Sequence, residues 1–417
     1  MGTRCHEWGL SPVAGQAVRL GVFTLQSPRP PHLLVALSSH GFGHLSQAAP
    51  VINQLRTLIP NLRLTIRANF PADQIKRRIF NPDVLQPVAD DFGMVMRDAL
   101  TVDLGASLHA YQTLHASLPE RVEQLSKELI EQKVDLVLAD IPYLTLAAAQ
   151  KAGIPSVALC SLNWADILEQ ALLLATTTRI KNTAAQQAIS TELAHVGAEI
   201  VREIRGIYQQ ADYFLLPTPS MPMPTLTNTR AIGPVCTPGV RKRDALALNT
   251  QVAEDVLFVL VGMGGMPFDL KLDEWPTHML GKPIHFIVAD NIAQTSKHPQ
   301  VVAETQTGLS YSDLVASVDL ILTKPGYGMF VEVAAAGVPV LYVERRDWPE
   351  ALVLTDWLQS VAHCTEISID VLHRGDFVEE MRKLLALGRY DPVTATGNAQ
   401  GATLLAQHLP LTEFTSR

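Results

Sequence analysis

The stretch that most constrains the fold is Val318 to Trp348, VDLILTKPGYGMFVEVAAAGVPVLYVERRDW. Its apolar run Leu320–Leu322 has the length and composition of a buried strand, and it stops at Lys324-Pro325-Gly326-Tyr327-Gly328. A helix of small and apolar residues, Phe330 to Ala336, ends at Gly337, and Val338 to Val343 reads as a second strand. Strand, glycine turn, helix and strand together are the repeating unit of a parallel sheet. Two glycines at a helix N-terminus let the backbone approach an anion closely. Glu332 lies about one helical turn (~3.6 residues) beyond them. A carboxylate there either grips a ribose diol or is an exposed residue favoured by the helix dipole.

The same logic recurs along the chain. His32 to Leu37 is a buried strand that runs into Ser38-Ser39-His40-Gly41-Phe42-Gly43-His44. A helix follows, with Leu45, Ala48, Ala49, Ile52, Leu55 and Ile59 on one face. Ligands of open α/β sheets bind at the carboxyl ends of strands. Gly41 and Gly43 leave space at this one, and His40 and His44 flank it. A histidine there either exchanges a proton near neutral pH or hydrogen-bonds the turn.

Leu62 to Ala68 reads as a strand, Phe70 to Ile79 as a helix, and Val84 and Val95 mark short strands. Leu108 to Gln132 reads as one long amphipathic helix. Val134 to Leu138 is a strand leading to Asp140, which either orients a histidine, meets an acceptor, or caps the helix Tyr143–Ala152. Ser156 to Leu159 leads to Asn163 and Trp164, candidates for an acceptor wall or for packing. Ile167 to Gln210 is helical in pattern, and Tyr213 to Leu216 reads as the last strand of this half.

Pro217, Pro219, Pro222 and Pro224 form a linker composition, which places a domain boundary near Met223. Beyond it, Val256 to Val261 runs into Gly262-Met263-Gly264-Gly265, a turn whose amides suit a phosphate. Ile284 to Ala289 is another strand, and Leu309 precedes the helix Ser312–Ala316. Arg345, Arg346, Asp347, Trp348 and Glu350 make a charged loop at a strand end, and Asp376 to His408 is largely helical.

The expected class is therefore α/β, with two Rossmann-like domains facing across a cleft, a donor held by one and an acceptor by the other. The expected divisions are a loose extension over 1–31, an acceptor domain over 32–223, a donor domain over 224–390 and a helical tail over 391–417.

Composition narrows the function. At 417 residues, 47% hydrophobic and 18% charged, the chain has ample core. A net charge of -8 argues against nucleic-acid binding. The 4 cysteines are too scattered for a zinc site or a disulfide framework, which suits a reducing cytoplasm. No apolar run is long enough to span a membrane, which leaves peripheral contact open.

These motifs resemble the GT-B glycosyltransferases of the family 28 type, including the bacterial enzyme that adds N-acetylglucosamine to a peptidoglycan precursor. The shared elements are His40-Gly41-Phe42-Gly43-His44 and the unit from Lys324 to Gly337 bearing Glu332. A nearer resemblance is to the glycosyltransferase-like N-terminal half of arabinokinases. It rests on Gly41 to His44, Val137 to Asp140, Asn163-Trp164, Gly326 to Gly328 and Arg345 to Asp347, and spans about residues 33 to 360.

The resemblance implies sugar transfer from a nucleotide sugar, expected to be uridine-based, with no cofactor and no metal. Glu332 would hold the ribose hydroxyls and Leu309 would lie beside the base. Gly262, Gly264 and Gly265, with Gly326, Tyr327 and Gly328, would approach the diphosphate. Lys324 would pair with the diphosphate or with an acidic neighbour, and Asp347 and Glu350 would reach sugar hydroxyls. His44 would be the general base that deprotonates the acceptor or a donor to the developing charge, with Asp140 as its catalytic partner, and His40, Gly41, Gly43, Asn163 and Trp164 would line the acceptor. The glycine run around His44 is shorter than in the peptidoglycan enzyme, so its acceptor is not carried over. Arabinokinases add a kinase half, and no kinase activity is expected here. Hydrolysis of nucleotide sugars, or binding without catalysis, are the alternatives.

Overall fold

The computed structural model describes residues 23–25, 29–98, 100–178, 184–253, 255–264 and 268–413. Two parallel sheets organise it. The first runs in the order Val84–Gln86, Arg63–Arg67, His32–Leu37, Leu136–Asp140, Ser156–Leu159, Tyr213–Pro217, Thr229–Ile232. The second runs His278–Met279, Lys282–Val288, Leu257–Gly262, Leu320–Thr323, Val340–Val343, Cys364–Ile367, with Val301–Ala303 also pairing with Lys282–Val288. Only His278–Met279 pairs antiparallel within these two sheets. Strands buried on both faces read as unbroken apolar runs, which is why they were visible in the sequence.

Each sheet has apolar packing on both faces. Helices end where glycine accepts a left-handed backbone, as at Gly153 (φ 67°) and Gly337 (φ 67°).

Several elements differ from expectation. The segment expected as one helix over Leu108–Gln132 is two helices, Leu104–Ala116 and Leu118–Glu131. Ser117 lies between them, and Pro119 stands in the first turn of the second helix, where its missing N–H costs nothing. Val95 lies outside any strand; the local pairing is a single bridge between Met96 and Val102. The first sheet takes in Thr229–Ile232, so it extends past Met223. In the terminal regions expected to be loose or helical, Phe23–Leu25 pairs antiparallel with Leu411–Glu413.

The chain crosses between the halves after Ile232 and returns before the helix Gly397–Ala406, whose Ala402 and Leu405 join the core of the first half. The two crossings touch. Gly397 N donates to Pro234 O at 3.0 Å and Gly233 N to Gln400 Oε1 at 2.6 Å. A Cβ on Gly233 would lie 1.9 Å from Thr396 Oγ1, and one on Gly397 would lie 2.0 Å from the Gly233 carbonyl oxygen. At Gly397 the obstacle is backbone, so only glycine fits, whereas at Gly233 the Thr396 hydroxyl would have to turn away.

Candidate active site

His44 lies in the first turn of the helix Phe42–Leu58, which opens at the extended Gly41. Strand Leu136–Asp140 pairs with His32–Leu37 so that Asp140 falls opposite Leu37. The two strand ends thus bring together residues 96 positions apart: His44 Nδ1 lies 2.9 Å from Asp140 Oδ1, with both side chains buried. An ionised Asp140 accepts from Nδ1–H and leaves Nε2 as the free acceptor. Burial lowers the basicity of His44, but the hydrogen bond and charge of Asp140 outweigh it and the net shift is upward. Burial raises Asp140 above the usual carboxylate range.

Cys160 Sγ lies 3.8 Å from His44 Nδ1. His44, Asp140 and Cys160 offer ligand atoms within 4.8 Å of one another, a set able to hold a metal ion. Burial pushes the Cys160 thiol well above its ordinary value, so it is protonated at neutral pH unless a metal displaces the proton.

Around this pair stands an aromatic cluster contributed by both halves. The His40 ring stacks on Trp348 at 5.4 Å with 5° between planes, and meets Trp164 edge-on at 5.2 Å. Burial and the charge of His44 lower His40 to about 3, so it is neutral at ordinary pH. Trp164 is fully buried, and its Nε1 donates to Asp91 Oδ2 at 2.7 Å. Burial raises Asp91 to about 6. Gly41 and Gly43 are open: a Cβ on either would meet nothing within 4 Å. Asn163, expected on the acceptor wall, is instead engaged with its own helix. Its Oδ1 accepts from Asp166 N at 2.8 Å and its Nδ2 donates to Asp166 Oδ2 at 2.7 Å.

On the opposite side, Glu332 is buried in the helix Tyr327–Ala336, and its Oε1 accepts from Arg78 Nη1 at 2.9 Å. Arg78 comes from the first half and lies 5.6 Å from the Tyr311 ring centroid. Half-buried Leu309 follows Gly308 and precedes Tyr311. Gly264 has φ 80°, a left-handed conformation that favours glycine, and lies against Lys324. Gly265 falls outside the described residues. Gly326 is open.

Other residues expected to hold the donor join the halves instead. Tyr327 is buried; its hydroxyl accepts from Val235 N at 3.0 Å and donates to Thr218 O at 3.2 Å. A Cβ on Gly328 would lie 2.9 Å from Ser46 Cβ, so glycine there allows two helices to meet across the cleft. Asp347 Oδ2 accepts from Val102 N at 3.0 Å. Glu350 Oε1 accepts from Ser161 Oγ at 2.5 Å, and its Oε2 from Trp348 Nε1 at 3.1 Å. Trp348 and Ala351 belong to the core of the first half.

Arg78, Asp91, Cys160, Arg345 and Trp348 are site residues that the sequence alone does not reveal. Trp348 and Arg345 lie in the charged loop after Val343, which is a visible signal; Arg78 and Asp91 carry no local signal.

Two α/β halves with strand ends turned toward one cleft define the GT-B fold, and solved structures of that class cover most of the chain. Among them are the kitacinnamycin glycotransferase (16% identity, 92% of this chain and 100% of that one, TM-score 0.55) and CalG4, the calicheamicin glycosyltransferase (18%, 91% and 94%, 0.56). A Polygonum tinctorium UDP-glucosyltransferase that glucosylates indoxyl is similar too (13%, 91% and 98%, 0.53). In sequence, the chain is 26% identical over 336 residues to the L-arabinokinase of Arabidopsis thaliana, covering 79% of this chain and 30% of that protein's length. No family model matches. Among the described residues no helix is long and apolar enough to cross a membrane.

Proposed function

We propose that the protein transfers a hexosyl or N-acetylhexosaminyl group from a nucleotide sugar, uridine-based, to an acceptor hydroxyl. The observation that carries this reading is the buried His44–Asp140 pair at 2.9 Å, on a cleft whose other wall bears Glu332 and the Gly264 turn. Structural relatives that include a UDP-glucosyltransferase and a protein complexed with UDP-glucose support the donor class. In the step, His44 Nε2 takes the acceptor hydroxyl proton as the acceptor oxygen bonds to the anomeric carbon. The bond from that carbon to the diphosphate oxygen breaks, and the diphosphate leaves with the electron pair. Asp140 orients the imidazole and stabilises its cation. Glu332 takes the ribose hydroxyls once Arg78 releases it. Amides of the glycine turns and of a helix N-terminus face the diphosphate, so the step needs no metal.

The test is turnover of uridine diphosphate sugars with a panel of acceptors, in chelator, by wild type and His44→Ala. Loss of turnover in His44→Ala supports the base role; full retention removes it. Sugar release without any acceptor would identify a hydrolase instead. A binding protein without catalysis is the second reading, favoured by Trp348, which stacks on His40 beside the His44–Asp140 pair. It predicts Glu332-dependent nucleotide binding with no turnover.

A further inference from the structure

Cys160 is a nucleophilic group beside His44 that the transfer step leaves idle. It follows the strand Ser156–Leu159, which pairs with Leu136–Asp140 so that Ala158 falls opposite Ala139. The strand His32–Leu37 pairs with Leu136–Asp140 on the other side. His44, Asp140 and Cys160 therefore stand at or just beyond the carboxyl ends of three neighbouring strands. Backbone bonds fix two of these ends: Cys160 N donates to Leu215 O at 3.2 Å, and Ser38 N donates to Asp140 O at 2.8 Å. Cys160 and Asp140 are fully buried, and the His44 side chain is 7% exposed. The set draws on one cysteine, so cysteine spacing along the chain does not reveal it.

The separations match those that a tetrahedral ion imposes. With bonds of about 2.0–2.3 Å to nitrogen, oxygen and sulfur, ligand atoms around such an ion sit roughly 3.3–3.6 Å apart. His44 Nδ1 lies 2.9 Å from Asp140 Oδ1 and 3.8 Å from Cys160 Sγ. Shifts of about half an ångström would seat an ion among them. Asp140 Oδ2 is buried with no hydrogen-bond partner among the described residues, so the carboxylate has accepting capacity that His44 does not use. The negative charges of Asp91 and Glu350 also favour positive charge at His44. Nitrogen, sulfur and oxygen in one set suit zinc or a similar borderline cation, whereas magnesium and calcium take oxygen alone. Three protein ligands leave a fourth position for water.

We propose that His44, Asp140 and Cys160 form a binding site for a zinc-class cation, and that the bound ion switches off the His44 base. Without the ion, Nδ1 carries the imidazole proton toward Asp140 and Nε2 keeps the lone pair. The ion takes the Nδ1 lone pair, so the proton moves to Nε2, which then donates and no longer accepts. The Cys160 thiol gives its proton to solvent and binds as thiolate, and Asp140 keeps its charge. From a neutral imidazole, one proton thus leaves per ion bound. The switch rests on the reading of His44 as the base of sugar transfer; the ion site does not.

The test is titration of the full chain with cobalt(II) and with zinc, for wild type, Cys160→Ser and Cys364→Ser. Cobalt should give wild type a thiolate charge-transfer band that saturates at a single equivalent, that Cys364→Ser keeps and that Cys160→Ser loses. Zinc should bind Cys160→Ser on the order of a hundredfold more weakly in competition with a chelator. Zinc should also stop sugar transfer by wild type, and chelator should restore the rate. In Cys160→Ser, measured against its own metal-free rate, the inhibiting concentration should rise by the same factor. Wild type with no band in excess cobalt overturns the site even if the variants fail to fold. A band that survives Cys160→Ser overturns it too, because the ion then sits elsewhere. A Cys160-dependent band with undiminished transfer keeps the ion site but overturns the switch and the base reading of His44. Absence of transfer without any metal removes the nucleotide-sugar reading and leaves the band to decide the site.

Discussion

Arg78 Nη1 lies 2.9 Å from Glu332 Oε1, so an arginine of the first half occupies the carboxylate proposed to hold a ribose. A bidentate grip on a ribose diol by both Glu332 oxygens has to compete with Arg78 for Oε1. If closing onto Arg78 is worth about 1 kcal/mol, it weakens apparent nucleoside affinity roughly fivefold. Arg78→Ala should therefore bind uridine roughly fivefold more tightly by calorimetry, while the free protein melts at a lower temperature because a buried carboxylate has lost its partner. Weaker uridine binding would show that Arg78 serves the nucleotide rather than competing with it.

Asp140→Asn keeps the shape of the side chain but removes the charge that sets the His44 tautomer. Sugar transfer should fall on the order of 10²–10⁴-fold in kcat, with donor KM little changed. Steady-state rates at saturating acceptor check this, and an unchanged kcat would mean that His44 does not work through Asp140.

Lys324 is lowered from 10.5 to about 7. Between those values the unfolded chain keeps the proton that the folded chain has released. Stability contributed at this site therefore rises with pH across the interval and levels off above it. Urea unfolding of wild type and Lys324→Met at pH 7 and pH 9 should show wild type gaining relative to the variant. A constant difference between them would mean that Lys324 titrates normally.

Trp348 belongs to the second half by sequence yet packs in the core of the first. Trp348→Ala should cost about 3–5 kcal/mol of stability, as for other buried aromatic truncations. It should also loosen the junction. Small-angle scattering is expected to show a larger radius of gyration, with separate melting of the two halves by calorimetry. A single unchanged transition would place the coupling elsewhere.

Much of this was legible from the chain because local patterns carry it. Apolar runs mark the strands, glycine pairs mark the turns, and the strand-end rule places His44 and Asp140 on one edge. What could not be read were contacts between the halves. Tyr327 looks like part of a phosphate turn, and its hydroxyl instead joins Val235 and Thr218. Asn163 reads as an acceptor-wall or packing candidate at a strand end and turns into its own helix. Arg78 is one basic residue among several in the last turn of a short helix, and only the approach of the second half distinguishes it. The break at Ser117 was present in the sequence as Ser-Leu-Pro, but the amphipathic pattern runs through it.

The paired glycines where the chain passes between the halves, Gly233 and Gly397, have a mechanical consequence. Both covalent passages meet at one spot, pinned by Gly397 N to Pro234 O. They act as a single fulcrum rather than as two posts. Displacement grows with distance from a fulcrum, so the distant walls of the cleft travel farthest for a given rotation. The cleft can then gape without stretching either passage, and a bulkier residue at Gly397, which faces the Gly233 carbonyl, would jam the fulcrum.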